Sequence, residues 1–160
     1  MTLPYIRRAT GKDAEALARL LAALAAWEGK RTQTADAPTL AGWLDAENPA
    51  FEVLLAETDG VPVGYLAFYR AFSLFKPGPV LLVENLYVDD SVRGQGVGRA
   101  LLAGAAAEAV KRGWSRMELN VRADNPSTAA YRALGFKTPG ESVQRLEDAG
   151  LKALAERART

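Results

Sequence analysis

The chain has no cysteine and no histidine in its 160 residues. The first absence excludes disulfides, thiolate metal sites and a cysteine nucleophile. The second removes the commonest metal ligand and the Ser-His-Asp relay. Acid–base chemistry is left to Glu, Asp, Tyr, Lys or water. No sign of charge dominates: 20 Lys and Arg stand against 19 Asp and Glu, for a net charge of +1. That balance gives no broad basic field for nucleic acid. No apolar run approaches the ~20 residues that span a bilayer, and the first residues do not read as a signal peptide. The expectation is a cytoplasmic protein with no metal, nucleic-acid or membrane partner. What is present is 49% apolar and 24% charged residues, the mix of an ordinary globular chain. Its length suits a single domain over residues 1–160.

Hydrophobic periodicity then orders the elements. Tyr5 to Ala9 reads as a strand, and Thr10 can cap a helix carrying Leu17, Leu20, Leu21, Leu24 and Trp27. Leu40, Trp43 and Leu44 predict a short second helix. Phe51 to Thr58, Val61 to Phe72 and Val80 to Val88 predict an antiparallel meander, with Asp59-Gly60 and the segment 76–79 as its turns. A helix follows from Val97 to Arg112, closed by Gly113. Ser115 to Arg122 alternates as a strand, and Asp124-Asn125-Pro126 opens another helix ending at Leu134-Gly135. Ser142 to Leu146 suggests a short last strand and Leu151 to Ala158 a last helix. The fold class is mixed α/β.

The densest signal is Arg93-Gly94-Gln95-Gly96-Val97-Gly98, a glycine turn between a strand and a helix. Helix N-termini present free N–H groups and partial positive charge, and glycine lets an anion approach them. A phosphate-bearing ligand is therefore expected. The P-loop template requires a Lys followed by Ser or Thr after its glycines, and none is there. The dinucleotide template requires a third glycine where Arg99 stands; Glu118 falls inside the next strand rather than at its end. A connection without a ligand is the remaining plain alternative, but Gly98 then sits idle at a helical position where it costs roughly 1 kcal/mol.

A fourth template fits. Arg93-x-x-Gly96-x-Gly98 resembles the acyl-CoA signature of the GNAT N-acetyltransferase superfamily, and Asn125-Pro126 with Tyr131-Arg132-Ala133-Leu134-Gly135-Phe136 resembles its second signature. Ile6-Arg7-Arg8-Ala9-Thr10, Glu84-Asn85-Leu86-Tyr87-Val88 and the Trp27-Glu28 pair extend the resemblance to the spermidine/spermine (diamine) N-acetyltransferase branch. The resemblance implies a GNAT fold, with a mostly antiparallel central sheet flanked by helices, and a homodimer. It also implies acetyl-CoA as co-substrate and direct transfer to a small-molecule amine such as a polyamine, diamine or basic amino acid. A protein N-terminus or lysine as acceptor, and a non-catalytic acyl-CoA-binding domain, are the alternatives.

The residues then take roles. The backbone of Gly94, Gln95, Gly96, Val97, Gly98 and Arg99 suits a pyrophosphate, with Arg93 and Arg99 adding charge. By resemblance, the edge Leu86-Tyr87-Val88 pairs with pantetheine, Asn125 contacts the cofactor, and Tyr131 stands near its sulfur as general acid. Glu84, a carboxylate in an otherwise apolar strand, is the candidate base, directly or through water. Trp27 and Glu28 suit a cation in the amine pocket. Each has a structural alternative: Tyr131 as a core tyrosine, Glu84 paired with an arginine, Arg99 as a surface charge, Trp27-Glu28 as a helix end, and Asn125 or Asp124 as a helix cap.

Overall fold

A computed structural model describes residues 4–30, 33–75, 77–122, 124–138, 140 and 148–156. The chain divides into two compact units, Met1–Asn120 and Val121–Thr160. The first holds one five-stranded sheet in the order β1-β2-β3-β4-β5. Its strands are β1 (Tyr5–Arg8), β2 (Glu52–Thr58), β3 (Val61–Ser73), β4 (Gly78–Val88) and β5 (Arg116–Leu119). The first four run antiparallel, and β4 pairs β5 in parallel. The β2–β3 hairpin closes through Asp59 (φ 51°) and Gly60 (φ 75°). Both left-handed positions are needed for a two-residue turn that follows the twist of the strands.

Strand alternation gives the sheet two apolar faces. Val53, Leu55, Tyr65, Ala67 and Tyr87 form one core with Leu17, Leu20 and Leu24 of α1 (Ala14–Trp27) and Leu40 of α2 (Ala37–Leu44). Leu54, Leu66 and Phe68 are buried at the intervening positions. Helix α3 (Val97–Lys111), with Leu101, Leu102, Ala105 and Ala109 buried, packs on β2, β3 and β4.

Ion pairs fasten the edges of this unit. Arg7 on β1 bridges Asp13 at 2.6 Å and Glu57 of β2 at 2.5 Å. The Arg7 hydrogen bonds hold the Asp13 carboxyl down at about 2. Asp13 also accepts from the Thr10 backbone N–H at 2.8 Å. The chain thus enters α1 through a tight turn at Gly11–Asp13 rather than directly from Thr10. On the α3 side, Arg112 joins Glu52 at 2.5 Å and Glu108 at 2.9 Å, with its guanidinium over Phe68 and Trp114.

Several expected boundaries shift, each for a local reason. The β3–β4 pairing runs out to Ser73 opposite Gly78, so β4 begins two residues before Val80. The strand expected over 115–122 is only Arg116–Leu119, because β4 offers it a partner only from Val80 to Val83.

In the second unit, α4 covers Thr128–Ala133 and α5 covers Asp148–Glu156. Helix α4 starts later than Asp124 because the Asn125 side chain accepts from the Ser127 N–H at 2.8 Å, a turn that precedes the helix. The strand expected over 142–146 lies outside the described residues.

Candidate active site

The site is organised by the second half of β4. Pairing with β5 ends at Val83, opposite Leu119. On the other side, Phe68 pairs with Val83 and Ala67 with Asn85, so Glu84 is the extra residue of a β-bulge. Beyond the bulge β4 keeps β3 as partner through Val88 but, among the described residues, has no strand on its β5 side. The Asp89 N–H donates to the Val63 carbonyl at 2.8 Å. Backbone groups alternate in direction along a strand, so those of Tyr87 and Asn85 face β3, and those of Leu86 and Val88 face the open side. Of the edge expected at Leu86, Tyr87 and Val88, the Leu86 backbone groups and the Val88 N–H face that side without a partner among the described residues, while the Val88 carbonyl is taken by Arg93.

The glycine turn follows directly. Gly94 has φ 76°, and Gly96, the residue that caps α3, has φ 84°. Both are left-handed, a region costing a side-chain-bearing residue about 1–2 kcal/mol. The Ala100 N–H returns to the Gly96 carbonyl at 2.9 Å, which leaves the N–H groups of Val97, Gly98 and Arg99 as the unpaired donors of the first turn. Arg99 is exposed and makes no ion pair with any described residue.

The Arg93 side chain is tied to its neighbours. It pairs with Asp90 at 2.7 Å, and its Nε donates to the Val88 carbonyl at 3.1 Å. Its guanidinium lies 5.5 Å from the Trp27 ring centre and 5.6 Å from that of Tyr87. Arg93 therefore binds the end of β4 to the end of α1 and shapes the turn, leaving Arg99 as the exposed cation of the first helical turn.

On the α1–α2 face of the sheet lies a cavity of about 360 Å3, within the range of small-ligand sites. Leu17 and Leu21 of α1 and Leu40 and Trp43 of α2 form its helical side. Phe51 just before β2, Val53 of β2, and Tyr65, Ala67 and Tyr69 of β3 form its sheet side. Glu84 and Asn85 enter from the bulge. Glu84 is exposed and forms no salt bridge with any described residue, so the expected alternative of a structural arginine pair does not occur among them.

The Tyr65 hydroxyl is buried with no hydrogen-bond partner among the described residues. Burial pushes its ionisation up, and the nearby charges of Glu28 and Glu84 push the same way, so the phenol stays protonated. Trp27 and Glu28 do not line the cavity: Trp27 stacks on Arg93, and Glu28 pairs with Lys30 at 2.5 Å. Sequence reasoning missed Trp43, Phe51, Tyr65, Tyr69 and Asn85. The one available signal was the pair Tyr65 and Tyr69, four apart on one strand and hence on one face.

In the second unit, Tyr131 is half-buried on α4 and packs edge-on against Phe136, with ring centres 5.9 Å apart. Burial raises its ionisation as well, which keeps a proton on the phenol at neutral pH. Asn125 spends its side-chain oxygen on the turn before α4, and Asp124 pairs with Arg122 at 2.8 Å. Among the described residues no group of three or more acidic side chains is placed to hold a metal, and no helix is long and apolar enough to cross a membrane.

Residues 17–136 match the model of the acetyltransferase (GNAT) family. The thialysine N-epsilon-acetyltransferase of Bos taurus is 31% identical over 170 positions, covering 91% of this chain and 98% of that protein. An aminoglycoside N(6')-acetyltransferase type 1 of Stenotrophomonas maltophilia is 33% identical over 141 positions, covering 84% and 86%. The solved structure of a ribosomal-protein-alanine N-acetyltransferase from Brucella melitensis biovar Abortus 2308 superposes with a TM-score of 0.73 at 25% identity, covering 91% of this chain and 99% of that one.

Proposed function

Because this chain belongs to the GNAT acetyltransferase family, we propose that it moves the acetyl group of acetyl-CoA directly onto the primary amine of a small molecule, without an acyl-enzyme. The observation that carries this reading is the geometry of β4: an open backbone edge, a carboxylate at the bulge and a cavity beside it. The cofactor supplies an acetyl group activated as a thioester.

The chain's own groups fit that cofactor. Unpaired N–H groups at Val97, Gly98 and Arg99, behind two left-handed glycines, suit a pyrophosphate. The Leu86 backbone and the Val88 N–H suit an extended amide chain, which adds to a strand edge by main-chain hydrogen bonds. Glu84 takes the proton from the amine, directly or through a water, so that its nitrogen lone pair is free to form the new C–N bond. The Leu86 N–H donates to the thioester oxygen, where negative charge builds up. By the family resemblance, Tyr131 would be the residue that donates a phenol proton to the leaving thiolate, with solvent restoring it.

The acceptor is a small cationic amine, for which polyamines, diamines and basic amino acids are the first classes to test. Glu84 supports a cation at the reacting end, and relatives named for thialysine and for an aminoglycoside support small amines in general. The absence of cysteine supports a cytoplasmic protein; a homodimer rests on the family resemblance and is checked by light scattering. The test is thiol release from acetyl-CoA across a panel of amines. Amine-dependent release with at least one small primary amine is expected. Release with peptide N-termini or lysyl peptides alone transfers the reading to a protein acetyltransferase. Acetyl-CoA binding with no release to any amine leaves a binding domain.

A further inference from the structure

The proposed transfer requires an acceptor but does not choose one, and the cavity carries a choice. Around Glu84 its walls are almost wholly apolar. Leu17, Leu21 and Leu40 line the helical side, and Trp43 meets Phe51 edge-on with ring centres 6.0 Å apart. Glu84 is the single acidic residue among those lining the cavity. The other carboxylate near it, Glu28, acts on Tyr65 but is paired with Lys30 and does not line the cavity, so a second ammonium against the apolar walls meets no lining carboxylate, and an unpaired charge in such surroundings is strongly disfavoured. An alkyl or aryl group in the same place gains from every carbon removed from water.

We propose that the acceptor is a primary monoamine with an apolar body, its amine at Glu84 and its alkyl or aryl end against Leu21, Trp43 and Phe51. This rests on the acetyltransferase reading above and narrows its acceptor away from diamines and polyamines. Trp43 is the specificity-determining side chain at the far end. Half-exposed at 49%, it sits where a new charge can be introduced without unfolding the core.

The test compares two acceptors of equal length, 1-aminopentane and 1,4-diaminobutane, in which a methyl replaces an ammonium. Initial rates of thiol release by the full chain with saturating acetyl-CoA give kcat/KM for each. The monoamine is expected to be preferred by at least about tenfold, the scale on which one group in an apolar pocket is discriminated, with 2-phenylethylamine also accepted. The variant Trp43→Glu, which places a carboxylate at the far end, is expected to shift the ratio toward the diamine by about tenfold or more. Equal or better turnover of 1,4-diaminobutane by the native chain overturns the proposal while leaving the transferase reading intact. An unchanged ratio in Trp43→Glu, with a native melting temperature, overturns the placement of the acceptor's far end. A chain that binds acetyl-CoA and acetylates nothing overturns both readings together.

Discussion

Two regions meet on the last five residues of β4, and they are built from different material. The turn at 93–99 is made of backbone: two left-handed glycines, three unpaired N–H groups and a helix start, all within seven consecutive residues. The cavity is made of side chains from α1, α2, β2, β3 and β4 that the sequence scatters from Leu17 to Asn85. A backbone site has to be written contiguously, because its geometry is fixed by which residues tolerate positive φ. A side-chain cavity needs only correct faces on separate elements, and many sequences supply those. On the proposed function, the first region holds what is common to acetyl transfer, and the second holds what is particular to this chain.

If that division is right, variants in the two regions separate kinetically. The largest effect belongs to Glu84→Gln, which keeps the shape of the bulge and removes the proposed base. It is expected to lower kcat about 10³-fold while the Kd for acetyl-CoA, measured by calorimetry, stays put. A parallel loss of cofactor affinity breaks the division. Next, Tyr131→Phe removes one phenol proton and is expected to lower kcat about 10²-fold at unchanged cofactor affinity. A full rate in this variant returns Tyr131 to a packing role against Phe136.

Legibility followed the same division. The glycine turn and the Glu84 carboxylate stand out in the sequence because each is local or breaks a local pattern, whereas the edge at Leu86 to Val88 was expected only from the family resemblance. The meander was readable from Asp59-Gly60 and strand alternation. The role of Arg93 was not, because it depends on Trp27 arriving from α1, 66 positions earlier in a sequence that gives no sign of the contact. The contacts of Trp27 with Arg93 and of Glu28 with Lys30, which keep both out of the cavity lining, were hidden for the same reason. The early end of β5 was unreadable too: Val121 continues the apolar alternation, but β4 has already bulged away from pairing at Glu84.

Smaller effects sharpen the comparison. Gly96→Val forces a β-branched residue into a left-handed position. It is expected to cost about 1–2 kcal/mol of stability and to weaken acetyl-CoA binding about tenfold, with the KM for amine unchanged. An altered choice among amines in this variant means that the turn also shapes the acceptor. Smallest is Tyr65→Phe on the cavity side. It removes a buried hydroxyl that has no partner among the described residues, so thermal unfolding is expected to show stability unchanged or up to about 1 kcal/mol higher. A clear destabilisation shows that the hydroxyl is bonded after all.

The claim that the turn and strand edge hold the cofactor through backbone N–H groups is tested most directly by amide hydrogen exchange of the full chain with and without acetyl-CoA. Protection is expected in peptides containing residues 86–88 and 94–99, and none in α2, whose Leu40 and Trp43 line the cavity side. Unchanged exchange across 94–99 at saturating acetyl-CoA contradicts the account.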